Sequence, residues 1–374
     1  MEIPAAEHHR AEPWRSIFPP VFFLCALYLF LASIDLMSVA FKLAGKEFAE
    51  HLLHTTSDPL AALLIGFLST AIVQSSSSTT SIAVGLVAAG TLPLRLAVPI
   101  IMGANIGTTV TNTIVSIGHV TRRGEFRRAF AAATVHDFFN ILAVLVIFPI
   151  EMLWHPVERT ALFLEKIFEG FGGIHMVSPL KAVVRPVTEG LAGVFPHTIL
   201  LLIIALIALF FSLSQMVRIM RGFVFARVEG FFDRVLFRND AAGFLLGWLL
   251  TATVQSSSAT TSLVVPLAGT GVLSLRKIFP YTLGANLGTT ITAILASFAT
   301  GNPVAITVAF SHMVFNIMGM LIFYPGKAVP LWMARKAGDL ASRSGRSAII
   351  IIVFYACLVL VPLFYVIARV RSGG

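Results

Sequence analysis

Charged residues are scarce in this sequence. Asp, Glu, Lys and Arg make up 12% of its 374 residues, about half the share found in an ordinary soluble domain. Cysteine is scarcer still: there are two, both in apolar runs, which excludes a disulfide framework and a cysteine-rich zinc site. Apolar residues make up 57% instead. This composition excludes a disordered chain, a nucleic-acid-binding module and a typical soluble enzyme, and it predicts a membrane protein with several spans.

Seven apolar runs are long enough to cross a bilayer, which takes about 20 helical residues. They cover 17–43, 96–118, 128–150, 197–217, 278–298, 303–325 and 347–368. Two further apolar stretches, 59–90 and 241–272, are each interrupted by a polar tract, and each half is too short to span. We therefore predict a re-entrant helical hairpin in each stretch, a geometry allowed only where protein or a wet cavity covers the interrupted backbone.

The two interrupted stretches are copies of each other. Gly66–Ser81 matches Gly247–Ser262 at 12 of 16 positions, and Gly103–Thr111 matches Gly284–Thr292 at 7 of 9, both at the same offset along the chain. Each repeat therefore contains a span, a hairpin, a broken span and a further span. Because three crossings is an odd number, the second copy enters the membrane upside down, which is the inverted-repeat organisation of secondary transporters.

The predicted fold class is thus an all-α polytopic membrane protein. It has two inverted-topology repeats, each with a re-entrant hairpin and a broken transmembrane helix, plus a C-terminal helix. Repeat 1 covers 17–150 with its broken helix at 96–118, and repeat 2 covers 196–325 with its broken helix at 278–298. The remaining segments are an N-terminal segment 1–16, a connector 151–195, a polar segment 326–346, and a C-terminal helix and tail 347–374.

The distribution of positive charge gives an orientation. Most of the 27 lysines and arginines fall, with Arg128 at a helix end, in five segments predicted on one side of the membrane, which are 1–16, 119–127, 218–240, 273–277 and 326–346. The positive-inside rule makes that side cytoplasmic. We therefore expect a multi-pass protein of the plasma membrane with a cytoplasmic N-terminus, a cytoplasmic 326–346 and an extracytoplasmic connector at 151–195.

Each polar tract has the groups to bind an anion. The tracts are Gln74–Ser78 and Gln255–Ser258, and a new half-helix follows each of them. The first N–H groups of a helix have no intrahelical partner, carry partial positive charge and bind anions such as phosphate, and serine hydroxyls add donors. Asparagines of the two Gly-Ala-Asn sequences, which we expect to break the following helix, complete the set. The candidate anion ligands are Gln74, Ser75, Ser76, Ser77, Asn105, Gln255, Ser256, Ser257, Ser258 and Asn286.

A cation is expected beside the anion, because neither tract contains a lysine or arginine. Sodium is a hard cation, and amide oxygens, hydroxyls and carbonyls freed at helix breaks suit it. Its charge would raise anion affinity, which couples the two by reciprocal linkage. The candidate sodium ligands are Gln74, Gln255, Thr79, Thr260, Thr108, Thr109, Thr289 and Thr290. The alternative, that the hydroxyls only join closely packed helices, explains duplicated tracts with paired breaks less well.

Ionisable and amide side chains also occur inside an apolar span of each repeat. They are His136, Asp137 and Asn140 in the first repeat, and His312 and Asn316 in the second. Each histidine shares a helix face with the asparagine four residues later. A direct functional role and interhelical hydrogen bonds that support the site are both open. His136 and Asp137 are adjacent, hence about 100° apart on a helix, which is a poor arrangement for catalysis, and no enzyme is predicted.

At these motifs the sequence resembles the type II sodium–phosphate cotransporter family. The resemblance rests on VQSSSSTTS (Val73–Ser81), IIMGANIGTTVTNTIV (Ile100–Val115), EFRRAFAAATVHDFFN (Glu125–Asn140) and the second-half VQSSSATTS and GANLGTT, and it covers most of 17–368. It implies sodium-coupled symport of inorganic phosphate by alternating access, with sodium as the coupling ion and the tracts as the shared site. The short connector and termini indicate a bacterial member.

The residues alone specify only an oxygen-rich anion plus a cation. A sodium-coupled carrier of another oxyanion or of a carboxylate therefore stays open, as does a phosphate exporter. A phosphate channel or sensor is the alternative from a different class, and it would not need sodium. The expected partners are phosphate, sodium and the lipid bilayer, with a second copy of the chain as a further candidate; no nucleic acid and no cofactor are expected.

Overall fold

The computed structural model describes residues 14–56, 58–108, 110–171, 173–195, 197–236 and 239–344, together with 353 and 364–366. Within these ranges every regular element is an α-helix, which confirms the predicted all-α class. Most of the predicted segment 1–16 and nearly all of the predicted helix 347–368 lie outside the described residues.

The described helices follow one another along the chain with short connections. They are α1 Trp14–Thr56, α2 Pro59–Val73, α3 Ser76–Ala88, α4 Leu94–Gly107, α5 Val110–Ile117, α6 Arg123–Trp154, α7 Pro156–Gly170, α8 Gly173–Val194, α9 Thr198–Leu236, α10 Asp240–Val254, α11 Ser257–Ser262, α12 Val264–Thr270, α13 Leu275–Gly288, α14 Thr290–Thr300, α15 Pro303–Phe323 and α16 Ala328–Ala341.

Five stretches of the described helices are long and apolar enough to cross a membrane. They are Pro20–Leu43, Arg123–Trp154, Thr198–Ile219, Leu275–Thr300 and Pro303–Phe323. The apolar helices α2, α4 and α10 are shorter than a full span. This is the mixture of long and short apolar helices that the interrupted hydrophobic pattern predicts.

Both polar tracts interrupt a helix at their glutamine. Gln74 ends α2 and Gln255 ends α10, and both adopt the left-handed conformation, with φ of 58° and 60°. This conformation is uncommon for a residue with a Cβ atom. The serine that follows each glutamine is extended and becomes the N-cap of the next helix. Two residues therefore suffice to end one helix and begin another.

The second half-helix differs between the repeats. In the first repeat α3 is continuous, whereas in the second repeat the equivalent stretch is divided at Leu263 into α11 and α12. Pro266 explains the difference because it has no N–H to donate to the carbonyl of Ser262, four residues earlier.

The helix breaks after the tracts do not fall where we expected them. Gly-Ala-Asn was predicted to interrupt each broken helix, but Asn105 and Asn286 lie inside α4 and α13, and the interruptions come at Thr108 and Thr289. The prediction is wrong because the glycine of each Gly-Ala-Asn has a packing role instead of a chain-breaking one.

That packing role is the close crossing of α4 on α2 and of α13 on α10. A Cβ atom added at Gly103 would lie 1.8 Å from the carbonyl oxygen of Leu63, and one added at Gly284 would lie 1.9 Å from that of Phe244. Small residues allow helices in lipid to approach to backbone contact. Because the two glycines are equivalent in the repeat, the two halves make the same helix crossing.

The connector 151–195 contains two helices that the hydrophobic pattern did not predict. Helix α7 packs on α15, and α8 packs on α1. The carboxylate of Glu151 accepts the N–H groups of Val157 (2.7 Å) and Glu158 (3.1 Å), so it caps the start of α7. Helix α9 also continues to Leu236, beyond the predicted span 197–217, and the segment 326–346 contains α16, which packs on α6.

Replacing Gly103 with alanine is expected to destabilise the fold strongly. The new methyl group meets the backbone of α2, which cannot rotate away, so the cost lies at the upper end of the overpacking range, about 3 kcal/mol or more. Gly190→Ala is the matched control, because no described atom lies within 4 Å of the position that its methyl group would take. Thermal unfolding in detergent measures both. Equal unfolding temperatures for the two variants would contradict the close crossing.

Candidate functional site

The two polar tracts, one from each repeat, line a single cavity of about 510 Å³. Helix α9 forms its remaining wall. The lining residues are Val73, Gln74, Ser75, Ser76, Ser77, Ser78, Gln255, Ser256, Ser257 and Ser258 from the tracts, and Phe210, Leu213, Ser214 and Val217 from α9. Among these described lining residues there is no charged side chain, so the cavity offers neutral polar groups on apolar walls.

Two helix N-termini meet at this cavity. Ser75 caps α3 by accepting the N–H of Ser78 on its Oγ at 3.2 Å, and Ser256 caps α11 by accepting the N–H of Ala259 at 3.2 Å. Each cap uses one of the N–H groups that have no intrahelical partner. The other first-turn N–H groups of both helices are left at the cavity, where their partial positive charge attracts an anion.

Two serine hydroxyls are free to act as donors. Ser76 and Ser257 occupy equivalent positions in the repeats, and both line the cavity. Within the described part of the chain, neither hydroxyl has a hydrogen-bond partner. Ser77 and Ser258 instead donate to the carbonyls of Gln255 (3.2 Å) and Thr108 (3.1 Å), and these bonds hold the two halves together.

The glutamine side chains stabilise their own helix ends. The Gln74 Nε2 donates to the carbonyl of Ala71, and the Gln255 Nε2 donates to that of Ala252. The Gln255 Oε1 also accepts a hydrogen bond from the hydroxyl of Thr292. An amide oxygen has two lone pairs, so one lone pair of the Gln255 oxygen is left for a ligand.

The described threonines among the predicted sodium ligands lie behind the tracts and not in the cavity lining. Each described one is buried, and its hydroxyl donates to the backbone carbonyl of the residue three or four positions earlier. The pairs are Thr79 with Ser75 (3.3 Å), Thr260 with Ser256 (2.9 Å), Thr108 with Ala104 (3.1 Å), Thr289 with Asn286 (2.6 Å) and Thr290 with Leu287 (2.7 Å). Thr109 lies outside the described residues. A hydroxyl that donates still has lone pairs to offer a cation.

The asparagine of α13 is the centre of a buried hydrogen-bond network. The Oδ1 of Asn286 lies 3.0 Å from the Nε2 of His136, and its Nδ2 donates to the Oδ1 atoms of Asn140 (2.9 Å) and Asn316 (2.7 Å). All four residues are at most 2% exposed. Both N–H groups of the Asn286 amide and one lone pair of its oxygen are therefore engaged between helices α6, α13 and α15.

The equivalent asparagine of α4 is bound in the same crossed manner. The Oδ1 of Asn105 lies 3.4 Å from the Nε2 of His312, and its backbone carbonyl accepts the Nδ2 of Asn140 at 2.8 Å. Each histidine thus contacts the asparagine of the other repeat. Asn105 and Asn286, predicted as anion ligands, do not line the cavity; this geometry favours a supporting role for them and for the histidines. Asp137 is buried beside them on α6.

Sequence reasoning missed several residues at the site. Asn112 of α5 and Thr261 of α11 exchange side-chain hydrogen bonds at 2.8 and 3.2 Å. Thr292 is the last residue of the repeated segment Gly284–Thr292, which could have drawn attention to it. Ser214 belongs to a short polar group in α9, together with Ser212 and Gln215, and this group was the signal that α9 could face the cavity.

These features together define the class of protein. Interrupted helices from two related halves meet at one neutral cavity, within a bundle that has several helices long enough to cross a bilayer. Broken helices at corresponding places in two repeats are the construction of membrane transporters. The chain is accordingly a multi-pass membrane protein of the transporter class.

The chain belongs to the Na+/Pi-cotransporter family, whose sequence model matches residues 29–176 and 200–333. The resemblance found at the tracts is thereby confirmed, and the family is one of transporters, not of enzymes. The human sodium-dependent phosphate transport protein 2B is 31% identical over 90% of this chain and 64% of its own length. The rat sodium-dependent phosphate transport protein 2A is 32% identical over 90% of this chain and 65% of its own. The chain thus spans slightly less than two thirds of these relatives. No solved structure matches it.

Proposed function

We propose that this chain is a secondary active transporter that moves inorganic phosphate across the plasma membrane together with sodium, by alternating access. The observation that carries the proposal is the single cavity at which both tracts place helix N-termini and free serine hydroxyls. The names of the relatives, sodium-dependent phosphate transport proteins, support phosphate and sodium as the pair that is moved.

Phosphate is held by hydrogen-bond donors of both repeats. The hydroxyls of Ser76 and Ser257 donate to its oxygens, and the first N–H groups of α3 and α11 add charge–dipole attraction. Ser75, Ser256 and the tract glutamines line the same cavity and complete the shell. Asn105 and Asn286 act indirectly in this proposal, by fixing α4 and α13 through the crossed histidine contacts.

Sodium supplies the positive charge that the cavity lining lacks. The amide oxygens of Gln74 and Gln255 and the hydroxyl oxygens behind the tracts are the ligands proposed for it, since a hard cation prefers oxygen. The anion and the cation each lower the electrostatic cost of the other, and this mutual effect is the coupling. The carrier then moves them together, because neither binds well alone.

Alternating access is proposed to use the two hairpins as gates at opposite faces, as expected for inverted repeats. The far end of each hairpin is held by the other repeat. Asn302 donates to the carbonyl of Ala88 at 3.0 Å, and Arg128 donates to that of Gly269 at 2.6 and 3.0 Å. Ala88 and Gly269 are equivalent positions of the two repeats. Releasing one contact at a time would open the cavity to one side at a time.

Phosphate uptake into proteoliposomes tests the proposed activity directly. An inward sodium gradient is expected to drive phosphate above its equilibrium concentration, because the cavity needs the cation to neutralise the anion. The same gradient of potassium is expected to drive none. Equal uptake in potassium would contradict coupling, uptake that stops at equilibrium would indicate a channel, and stronger competition by sulfate or a dicarboxylate would reassign the substrate.

Ser76→Ala and Ser257→Ala are expected to weaken phosphate binding to similar extents. Each removes one hydrogen bond to a charged group, worth roughly 1.5–3 kcal/mol, or about 10- to 150-fold in affinity. The unfolding temperature should not change, since neither hydroxyl makes a hydrogen bond within the described part of the chain. Ser214→Ala is the matched control: this serine lines the same cavity, but its hydroxyl donates to the carbonyls of Phe210 and Phe211. Loss in only one serine variant would reject a shared site.

Single cysteines at Pro93 and Ser274 test the inverted topology. The two residues are exposed, equivalent N-cap positions of α4 and α13, and neither makes a capping side-chain bond. In a background without Cys25 and Cys357, a membrane-impermeant thiol reagent is expected to label Pro93→Cys from outside and Ser274→Cys from the cytoplasm. Labelling of both from one side would make the repeats parallel.

A further inference from the structure

A second cavity, of about 440 Å³, lies where the start of α6, the connection between α12 and α13, and α16 meet. We call it the arginine basin, because Arg127, Arg128, Arg276 and Arg335 line it. The start of α6 overlaps 119–127, the connection between α12 and α13 overlaps 273–277, and α16 lies within 326–346. The charge pattern predicts all three of these segments to be cytoplasmic. The structure therefore gathers positive charge that is dispersed along the sequence.

Most of this charge is not neutralised by the protein. The Nε of Arg127 pairs with Asp339 at 2.6 Å. Arg128 donates to the carbonyls of Ala268 and Gly269, which carry no net charge. Arg276 and Arg335 are exposed, and within the described part of the chain neither has an acidic or hydrogen-bonded partner. Three guanidinium groups in one cavity thus lack a carboxylate among the described residues.

A helix N-terminus opens into the same basin. Ser274 is the N-cap of α13, a helix of 14 residues, yet its side chain makes no capping hydrogen bond. Ser274 and Leu275 both line the basin. The first N–H groups of α13 and the Ser274 hydroxyl are therefore available there as donors, with the positive end of the helix dipole behind them. This is independent of the arginines and indicates the same kind of ligand.

We propose that the arginine basin binds a phosphate group, either of inorganic phosphate or of a lipid headgroup, at a site separate from the transport cavity. Planar guanidinium forks match the several oxygens of a phosphate group, and uncapped helix N–H groups add to them. Ser257 lines the transport cavity and Ala268 lines the basin, and they lie about 16 Å apart along α11–α12 at 1.5 Å per residue. The basin is thus a different site, and the proposal does not rest on the transport function.

Occupancy of the basin would reach the transport machinery through Arg128. This residue lines the basin and also holds the carbonyl of Gly269, at the end of the repeat 2 hairpin. A bound phosphate group competes with that carbonyl for the guanidinium hydrogens. The basin ligand would therefore weaken the contact that holds this hairpin end in place.

Equilibrium binding of radiolabelled inorganic phosphate to the purified full-length chain in neutral detergent tests the proposal. Wild-type protein is expected to bind phosphate at the basin in addition to the transport cavity. The phosphate affinity of the basin is expected to fall about tenfold or more in the double variant Arg276→Gln/Arg335→Gln, because two charge-assisted contacts are lost. Lys336→Gln is the control for each of the single variants Arg276→Gln and Arg335→Gln, since it likewise removes one positive charge, from a neighbouring exposed position of α16 that does not line the basin. The double variant Ser76→Ala/Ser257→Ala is expected to retain phosphate binding at the basin, which distinguishes this site from the transport cavity.

A second arm distinguishes the two sources of the phosphate group. Native mass spectrometry counts the phosphatidic acid molecules, and for comparison phosphatidylcholine molecules, retained by the same variants. A loss confined to inorganic phosphate assigns a soluble anion, and a loss confined to phosphatidic acid assigns a lipid headgroup; both support the site. If the double arginine variant binds both probes as Lys336→Gln does, the proposal is overturned. Unfolding temperatures of the double variant and of the two single arginine variants, measured without ligand, check that the fold is intact.

Discussion

A helix that stops inside a bilayer exposes backbone N–H and C=O groups where lipid offers them no hydrogen bonds. We propose that both tracts lie inside the bilayer, and they meet this constraint in the same way. A left-handed glutamine, Gln74 or Gln255, ends the first helix, and an extended serine, Ser75 or Ser256, caps the second. The polar groups that remain unpaired after these bonds face one cavity. The interruption of the helix and the proposed binding site are therefore one structure.

The sequence was sufficient for the features that depend on equivalence between the repeats. A fixed offset along the chain identifies Ser76 with Ser257 and Gly103 with Gly284 without any three-dimensional information. Span length and polar interruption likewise report the short helices directly, because hydrophobic thickness fixes how many residues a crossing needs. These features are local or periodic, and both kinds of pattern can be recognised in an amino-acid sequence.

Features that depend on contacts between the repeats could not be predicted from the sequence. Asn105 and Asn286 have side chains suited to binding a ligand, but their amide oxygens contact histidines of the opposite repeat, and no spacing rule predicts that exchange. The glycines of the two Gly-Ala-Asn sequences were predicted to break a helix, but their role depends on what each glycine faces. Here each one faces the backbone of α2 or α10, and the sequence does not show that contact. Helices α7 and α8 were missed because they are not long apolar runs.

Positive charge and the proposed transport cavity are separated within this molecule. The cavity between the tracts has only neutral donors among its described lining residues, whereas arginines collect in the basin at the end of α12. A fixed charge inside a membrane protein costs several kcal/mol when it is unpaired, so a neutral cavity can be empty without that cost. An arginine in the tracts would also bind phosphate whether or not sodium were present. Neutral donors make the cation necessary, and in the proposed mechanism that necessity is what couples phosphate to the sodium gradient.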